Sequence, residues 1–459
     1  MNVVCITIDA WRVSHASFMP SSTDGYTPNL DALAEEGVIF TQAVSHGPAT
    51  PYAFPALLTS TLPLDHGGYE RIRPERELLS ETLHRAGWRC TGVHANPWLG
   101  ERNGYGRGYD VYRDVGEFGL PFFERSRGLL LDRFSLDHPV YRGAQYAYRR
   151  LQEPLRAIAG AGDDEIRVAR EAIRDDRGGR EGRDRSFVWT HLLEPHAPYT
   201  PPERHRRAVG VPAFEGNPTG LSTRAQRAPE RLTEREREAV RGLYAASVRH
   251  ADERVGELLE RIPNDALVIV TADHGEALFE HGQVGHEPAL YDELLRVPLL
   301  IRPPGGIDGE GKRVDTQVRH IDVAPTVLDY AGVAFPEAYL GRSLRPAIEG
   351  RSIGDRVAVS EVASATSAPG RIDPDALQVS ARLPDRKLVY SEGSTRGFDL
   401  KRDPNEREPI DDPSGPKWVR LRSALAERSR SHFGPLGSSI GFRSFGSRFR
   451  SNPLVLPSL

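Results

Sequence analysis

The chain has 459 residues, long enough for one large domain with a smaller one beside it. Apolar residues make up 38%, enough for a sizeable core, and a formal net charge of −4 argues against a general affinity for nucleic acid or an anionic membrane surface. No apolar run approaches the ~20 residues a membrane span needs, and the first run, Asn2–Ile8, is too short for a secretory leader and ends at Asp9, so a cytoplasmic protein is expected.

Short apolar runs then alternate with helical patterns. Val3–Ile8, Trp88–His94, Phe187–Leu193, Ala266–Thr271 and Pro298–Ile301 read as buried strands, with helices such as Pro28–Glu36 and Glu77–Ala86 between them. The longest helix is predicted from about Leu232 to Ile262, opened by a capping box of Thr233 and Glu236. Cys5 and Cys90 sit in strand-like runs without metal or redox spacing and read as buried free thiols, which suits a reducing compartment. Residues 120–185 are rich in arginine and read as surface helices and a loop, and residues 200–230 read as a Pro/Gly/Arg-rich loop near the site. From about residue 355 short strands lead to a helix near Lys417–Arg428.

This alternation predicts an α/β fold with a mostly parallel sheet covered by helices on both faces, and ligands at the carboxyl ends of its strands. The expected division is a main domain over 1–350, a small C-terminal α+β subdomain over 351–428, and a disordered tail over 429–459, rich in Ser, Gly, Arg and Phe.

Polar motifs fall where that rule expects them. Asp9 ends the first strand, with Arg12 three residues on, and Asp273-His274 ends a later one. A carboxylate at a strand end is often only a turn cap. Two such ends, one bearing an adjacent imidazole, favour a shared site for a divalent cation. Thr50-Pro51 precedes an apolar helical run, which is the pattern of an N-cap with proline at the first helical position. The same hydroxyl would lie where helix amides favour an oxyanion, and a nearby cation would make it a nucleophile. His191, His196, His281 and His286 lie in or beside loops at this sheet edge, suited to contact ester oxygens or to protonate a leaving group.

Together these segments resemble the sulfatase family of the alkaline phosphatase superfamily. The resemblance runs through Thr27-Pro28-Asn29-Leu30-Asp31, Leu57-Leu58-Thr59-Ser60, His66-Gly67, Thr271–Glu276, Leu290-Tyr291-Asp292-Glu293, Arg296-Val297-Pro298 and His320-Ile321-Asp322, and returns at Phe398-Asp399-Leu400. It implies an alkaline-phosphatase-like fold and a hydrolase for a small-molecule or glycan sulfate or phosphate ester, with no nucleic-acid partner. It also implies one divalent ion, Mn, Zn, Ca or Mg, on Asp9, Thr50, Asp273 and His274. Thr50 falls at the family's nucleophile position, His196 and His286 would contact the transferred group, and Arg12 and His281 would bind substrate.

The departures sharpen the expectation. Sulfatases carry a Cys or Ser that becomes formylglycine, within a Cys/Ser-x-Pro-x-Arg signature; here the window is Thr50-Pro51-Tyr52-Ala53-Phe54. Where they have paired aspartates this chain has Asp9-Ala10, and where they often have Asp-Asn it has Asp273-His274. One acid, Thr, Asp and His is the set of lipoteichoic-acid-synthase-like phosphoglycerol transferases, which also use threonine. A catalytically inactive family member that binds an anionic ligand, or a phosphoglycerol-type transferase, are the alternatives.

Overall fold

Three strands set the centre of the molecule, and each is buried along nearly its whole length. They are β1 (Asn2–Ile8), β6 (Ser186–Leu192) and β7 (Leu267–Ala272). Strands covered on both faces read as unbroken apolar runs, which is why these were visible in the sequence. The structure, a computed structural model, describes residues 2–22, 25–69, 71–116, 161–175, 185–363 and 377–433. The other strands of the main body are β2 (Val38–Phe40), β3 (Ala43–Val44), β4 (Arg89–His94), β5 (Val111–Asp114), β8 (Ala277–Leu278), β9 (Val284–Gly285), β10 (Arg296–Val297), β11 (Leu299–Arg302), β12 (Lys312–Val314) and β13 (Val318–Arg319).

The main sheet has eight strands in the order β12-β2-β11-β7-β1-β6-β4-β5. Only β11 runs against its neighbours; the other pairings are parallel, as the sequence predicts for most of the sheet. Ile8 of β1 pairs with Leu192 of β6 and Ala272 of β7, and His94 of β4 pairs with His191 of β6. This register brings Asp9, Asp273 and the residue after next to His94, which is Asn96, to one edge.

The long helix is Glu234–Leu259, with the Thr233–Glu236 capping box in place. Its buried Asp252 accepts hydrogen bonds from the backbone N–H of Asn29 (3.1 Å) and Leu30 (2.9 Å), capping the helix Pro28–Glu35. The 200–230 segment differs from expectation. It holds two helices, Glu203–Val209 and Pro218–Arg227, rather than a loop. Its prolines and glycines punctuate helices instead of breaking them: Pro218 opens the second helix behind an Asn217 cap, and Gly210, at φ +74°, closes the first.

The arginine-rich region 120–185 lies outside the described residues, apart from the helix Ala161–Asp175 and Arg185. Beyond it, β14 (Ala358–Ala363), β15 (Leu377–Leu383), β16 (Arg386–Ser391), β17 (Ser394–Asp399) and β18 (Ile410–Asp411) form an antiparallel sheet. The helix Pro416–Phe433 packs on it through Trp418, Leu421 and Leu425. That helix continues past Arg428, so the expected start of the tail at 429 falls inside it; residues 434–459 lie outside the described set. Among the described residues, no helix is long and apolar enough to cross a membrane. Cys5 and Cys90 are buried thiols that form no disulfide, and burial pushes the Cys5 thiol up to about 12.

Candidate active site and metal centre

The sheet edge gathers fully buried polar side chains. Asp9 follows β1, Asp273 and His274 follow β7, His191 lies near the end of β6, and Asn96 follows β4. The helix Thr50–Thr59 supplies Thr50. Thr50 is the first helical residue and Ala49 the N-cap, with no side-chain cap, so the expected capping role is not the one seen. The Thr50 hydroxyl instead donates to Asp273 Oδ2 at 2.9 Å. Phe54, where the signature arginine would fall, is buried edge-on to His191 and Trp189.

The proton inventory of this cluster is short of hydrogens. His274 Nδ1 lies 2.7 Å from the Gly275 carbonyl oxygen, which can only accept, so Nδ1 carries the ring proton. Burial, reinforced by His286, holds the His274 pKa well below the ordinary imidazole value, so its Nε2 is a bare lone pair. That Nε2 faces Asp9 Oδ1 at 3.5 Å and Asp273 Oδ2 at 3.6 Å. Asp9 Oδ1 and His274 Nε2 are both buried without a hydrogen-bond partner. Burial works against the charge on Asp9, but His196, His191 and His274 together hold its pKa low, while burial and the neighbouring Asp9 push that of Asp273 up. Lone pairs converging on one point, with two carboxylates and an imidazole of defined tautomer, are the donor set of a divalent cation.

His191 and Asp9 also come within ligand distance of Asp273. His191 Nε2, however, lies 3.2 Å from Asp9 Oδ2 and its Nδ1 lies 2.9 Å from Thr7 Oγ1, so both nitrogens already have partners. His191 therefore orients Asp9 rather than adding a free donor. Asn96 Nδ2 donates to Asp9 Oδ2 at 2.8 Å and lies 3.3 Å from Thr50 Oγ1. Sequence reading gave Asn96 no role and placed His191 only among the histidines suited to contact ester oxygens or protonate a leaving group. Asn96 had a signal, since it sits just past a predicted strand; the direction of His191 depends on register.

Of the sequence-expected residues, the structure brings together Asp9, Thr50, Asp273 and His274. The His286 ring lies tilted against that of His274 with ring centres 4.5 Å apart, and His196 meets His286 edge-on at 4.9 Å. Burial opposes a charge on His286, yet Glu276, 3.1 Å from its Nδ1, outweighs this and the pKa rises to about 9. Arg12 is held by Glu280 at 2.8 Å, with its Nη1 buried and without a hydrogen-bond partner. His281 is engaged elsewhere: it stacks on Tyr291 at 3.6 Å and faces Glu293 at 3.5 Å. A second group of potential ligands, His205, His250 and Glu253, is already satisfied in part, because His205 and Arg204 share Glu253 Oε2 at 2.8 and 2.6 Å.

Comparison with known proteins follows the same lines. The family model described as Sulfatase matches residues 1–333. The arylsulfatase of Clostridium perfringens (strain 13 / Type A) is 24% identical over 88% of this chain and 89% of its own length. The multifunctional alkaline phosphatase superfamily protein PehA of Trinickia caryophylli is 27% identical over 75% of this chain and 76% of its own. Several other curated matches are local, covering as little as 20% of the relative. The phosphonate monoester hydrolase of Agrobacterium radiobacter shares the fold, with a TM-score of 0.65 at 21% identity over 94% of this chain and 95% of that one.

Proposed function

This chain belongs to the sulfatase family, and we propose that it hydrolyses a phosphoric, phosphonic or sulfuric ester through Thr50, with one divalent cation held by Asp9, Thr50, Asp273 and His274. The observation that carries this reading is the bare His274 Nε2 facing two buried carboxylate oxygens beside the Thr50 hydroxyl. A cation bound there would lower the pKa of the hydroxyl and offset charge on the transferred group.

The chain's own residues account for the proton movements. The Thr50 proton points at Asp273 Oδ2 and leaves along that hydrogen bond. Oγ1 attacks the ester, and the departing alkoxide takes a proton from His286, which Glu276 keeps charged at neutral pH. His196, in ring contact with His286, and the free Nη1 of Arg12 are the groups placed to meet the ester's remaining oxygens. Burial of Thr50, Asp273 and Glu276 keeps water from these three and strengthens their contacts.

Threonine chemistry favours phosphorus over sulfur. A formylglycine diol expels its sulfate by re-forming an aldehyde, whereas a threonine ester must be displaced by water. The relatives' names span both ester classes, an arylsulfatase and a multifunctional alkaline phosphatase superfamily protein. The substrate proposed is accordingly a small-molecule or glycan ester with a phosphoryl or phosphonyl centre ahead of a sulfuryl one.

The test is to mix the Mn-loaded enzyme briefly with 4-nitrophenyl phenylphosphonate, quench in acid, and weigh the peptide containing Thr50. A phenylphosphonyl adduct on Thr50 is expected, along with loss of turnover in Thr50→Ala. Undiminished turnover by Thr50→Ala would refute the assignment.

A further inference from the structure

The orientation of one amide is fixed at both ends. Asn96 Oδ1 accepts from the Trp98 backbone N–H at 3.0 Å, which settles which end of the side chain is the carbonyl. The NH2 end therefore faces Asp9 Oδ2 at 2.8 Å and Thr50 Oγ1 at 3.3 Å, one hydrogen for each acceptor. Because Thr50 gives its own proton to Asp273, the side of Oγ1 turned to Asn96 is a lone pair. Asn96 is 4% exposed, so water does not compete freely for that lone pair.

We infer that Asn96 is a catalytic residue: the N–H donor that stabilises negative charge on Thr50 Oγ1, above all when the covalent intermediate breaks down. The inference rests on the Thr50 reading above. In the first step Oγ1 bonds to phosphorus, the ester P–O bond breaks with its electron pair going to the leaving oxygen, and that oxygen takes the His286 proton. In the second, water oxygen bonds to phosphorus and gives a proton to His286. The P–Oγ1 bond breaks, its electron pair returns to Oγ1, and Oγ1 regains the proton it had given towards Asp273. Charge on Oγ1 falls in the first step and grows in the second. A donor fixed beside Oγ1 therefore speeds the second step more than the first. This chain needs such a donor, since an alkoxide leaving group has no carbonyl to form on departure.

Asn96→Asp keeps the acceptor for Trp98 and removes the donor; Asn96→Ala removes both without placing a third carboxylate in the cluster, and serves where the aspartate variant fails to fold. With 4-nitrophenyl phenylphosphonate as probe, loss of one such donor is expected to lower kcat about 10²–10³-fold. The fraction of Thr50 carrying the phenylphosphonyl group at steady state, read by intact-protein mass, rises, and bound Mn stays at the wild-type level. A kcat within about threefold of wild type would overturn the inference, as would a loss of rate with no rise in adduct. So would a fall in bound Mn with activity restored by excess Mn, which would show that Asn96 acts only by holding Asp9. Should Thr50→Ala retain turnover, the nucleophile assignment fails first; should Thr50→Ala be inactive while both Asn96 variants are normal, only this inference fails.

Discussion

His286 shows how much one neighbour can decide. A buried imidazole would ordinarily stay neutral, but the Glu276 carboxylate at 3.1 Å, with Asp9 and Asp273 behind it, holds the pKa up to about 9. The acid form is therefore present below that pH and lost above it. The rate is expected to fall as pH rises towards about 9, and to fall somewhat earlier with the cation bound, because the cation offsets the carboxylates' pull. His286→Asn should remove this alkaline limb from the pH–rate profile. For an alkyl ester with a poor leaving group it should also cost about 10²–10⁴-fold in kcat, and far less for a 4-nitrophenyl ester that needs no proton. A limb that persists unchanged in the variant would assign the proton to another group. At this scale the sequence was informative wherever a polar residue ended an apolar run, as with Asp9 and Asp273-His274. It was silent on the buried Glu276, whose partner His286 lies ten residues away across a β8–β9 turn. For Thr50 it offered an N-cap beside a nucleophile, and only the cap is absent, because a Thr-Pro pattern does not say where the hydroxyl points.

Elements are positioned by each other's ends as well as by their apolar faces. Asp252, inside the long helix Glu234–Leu259, caps the helix Pro28–Glu35 and so fixes the chain that follows β1. Burial drives its pKa up to about 6, against the two backbone N–H groups and Asn29, which favour the carboxylate. The folded-state pKa is raised above the unfolded value, so the proton linkage works in one direction: the associated stability is present below about pH 4 and is lost as pH climbs through about 6. Asp252→Ala leaves the two N–H groups without their acceptor and is expected to cost about 1–3 kcal/mol. In urea titrations at pH 4, 5, 6 and 7, the variant should lack the wild type's decline across this window. Equal slopes in both proteins would remove Asp252 as the source. The helix itself was legible from its period and capping box, whereas Asp252's service to a different helix was not, because the two are more than two hundred residues apart in sequence. The helices at Glu203–Val209 and Pro218–Arg227 were obscured for a different reason: they are short and open or close on proline, asparagine and glycine, which also punctuate loops.

Across the whole molecule, the C-terminal sheet is tied to the main body by buried charge. Lys387 of β16 reaches Asp292 Oδ1 at 3.0 Å and Glu406 Oε1 at 2.8 Å, and Arg382 of β15 reaches Asp292 Oδ2 at 2.9 Å. Asp292 opens the short helix Asp292–Leu295, and that helix braces the candidate site: Gly275 N–H donates to Leu294 O and Ser45 N–H to Leu295 O, each at 2.8 Å. Ser45 in turn donates its hydroxyl to Asp273 O at 2.7 Å. The path from Lys387 to the proposed cation ligands is therefore continuous through an ion pair, a short helix and hydrogen bonds. Lys387→Met removes the cation from between Asp292 and Glu406 while keeping most of the side-chain volume. Breaking a buried ion pair by removing one partner is expected to cost about 3–5 kcal/mol. If the sheet only adds bulk stability, added Mn should raise the melting temperature of the variant as much as that of wild type. If it braces the ligands, the Mn-dependent rise shrinks, since stabilisation by a ligand scales with its affinity for the folded state. The shrinking rise is the outcome expected from the geometry, read by calorimetry with and without Mn at fixed concentration. None of this docking could be read from the sequence, where Asp292, Lys387 and Glu406 are charges in unrelated segments, each beside another charged residue, and only their burial together makes them a unit.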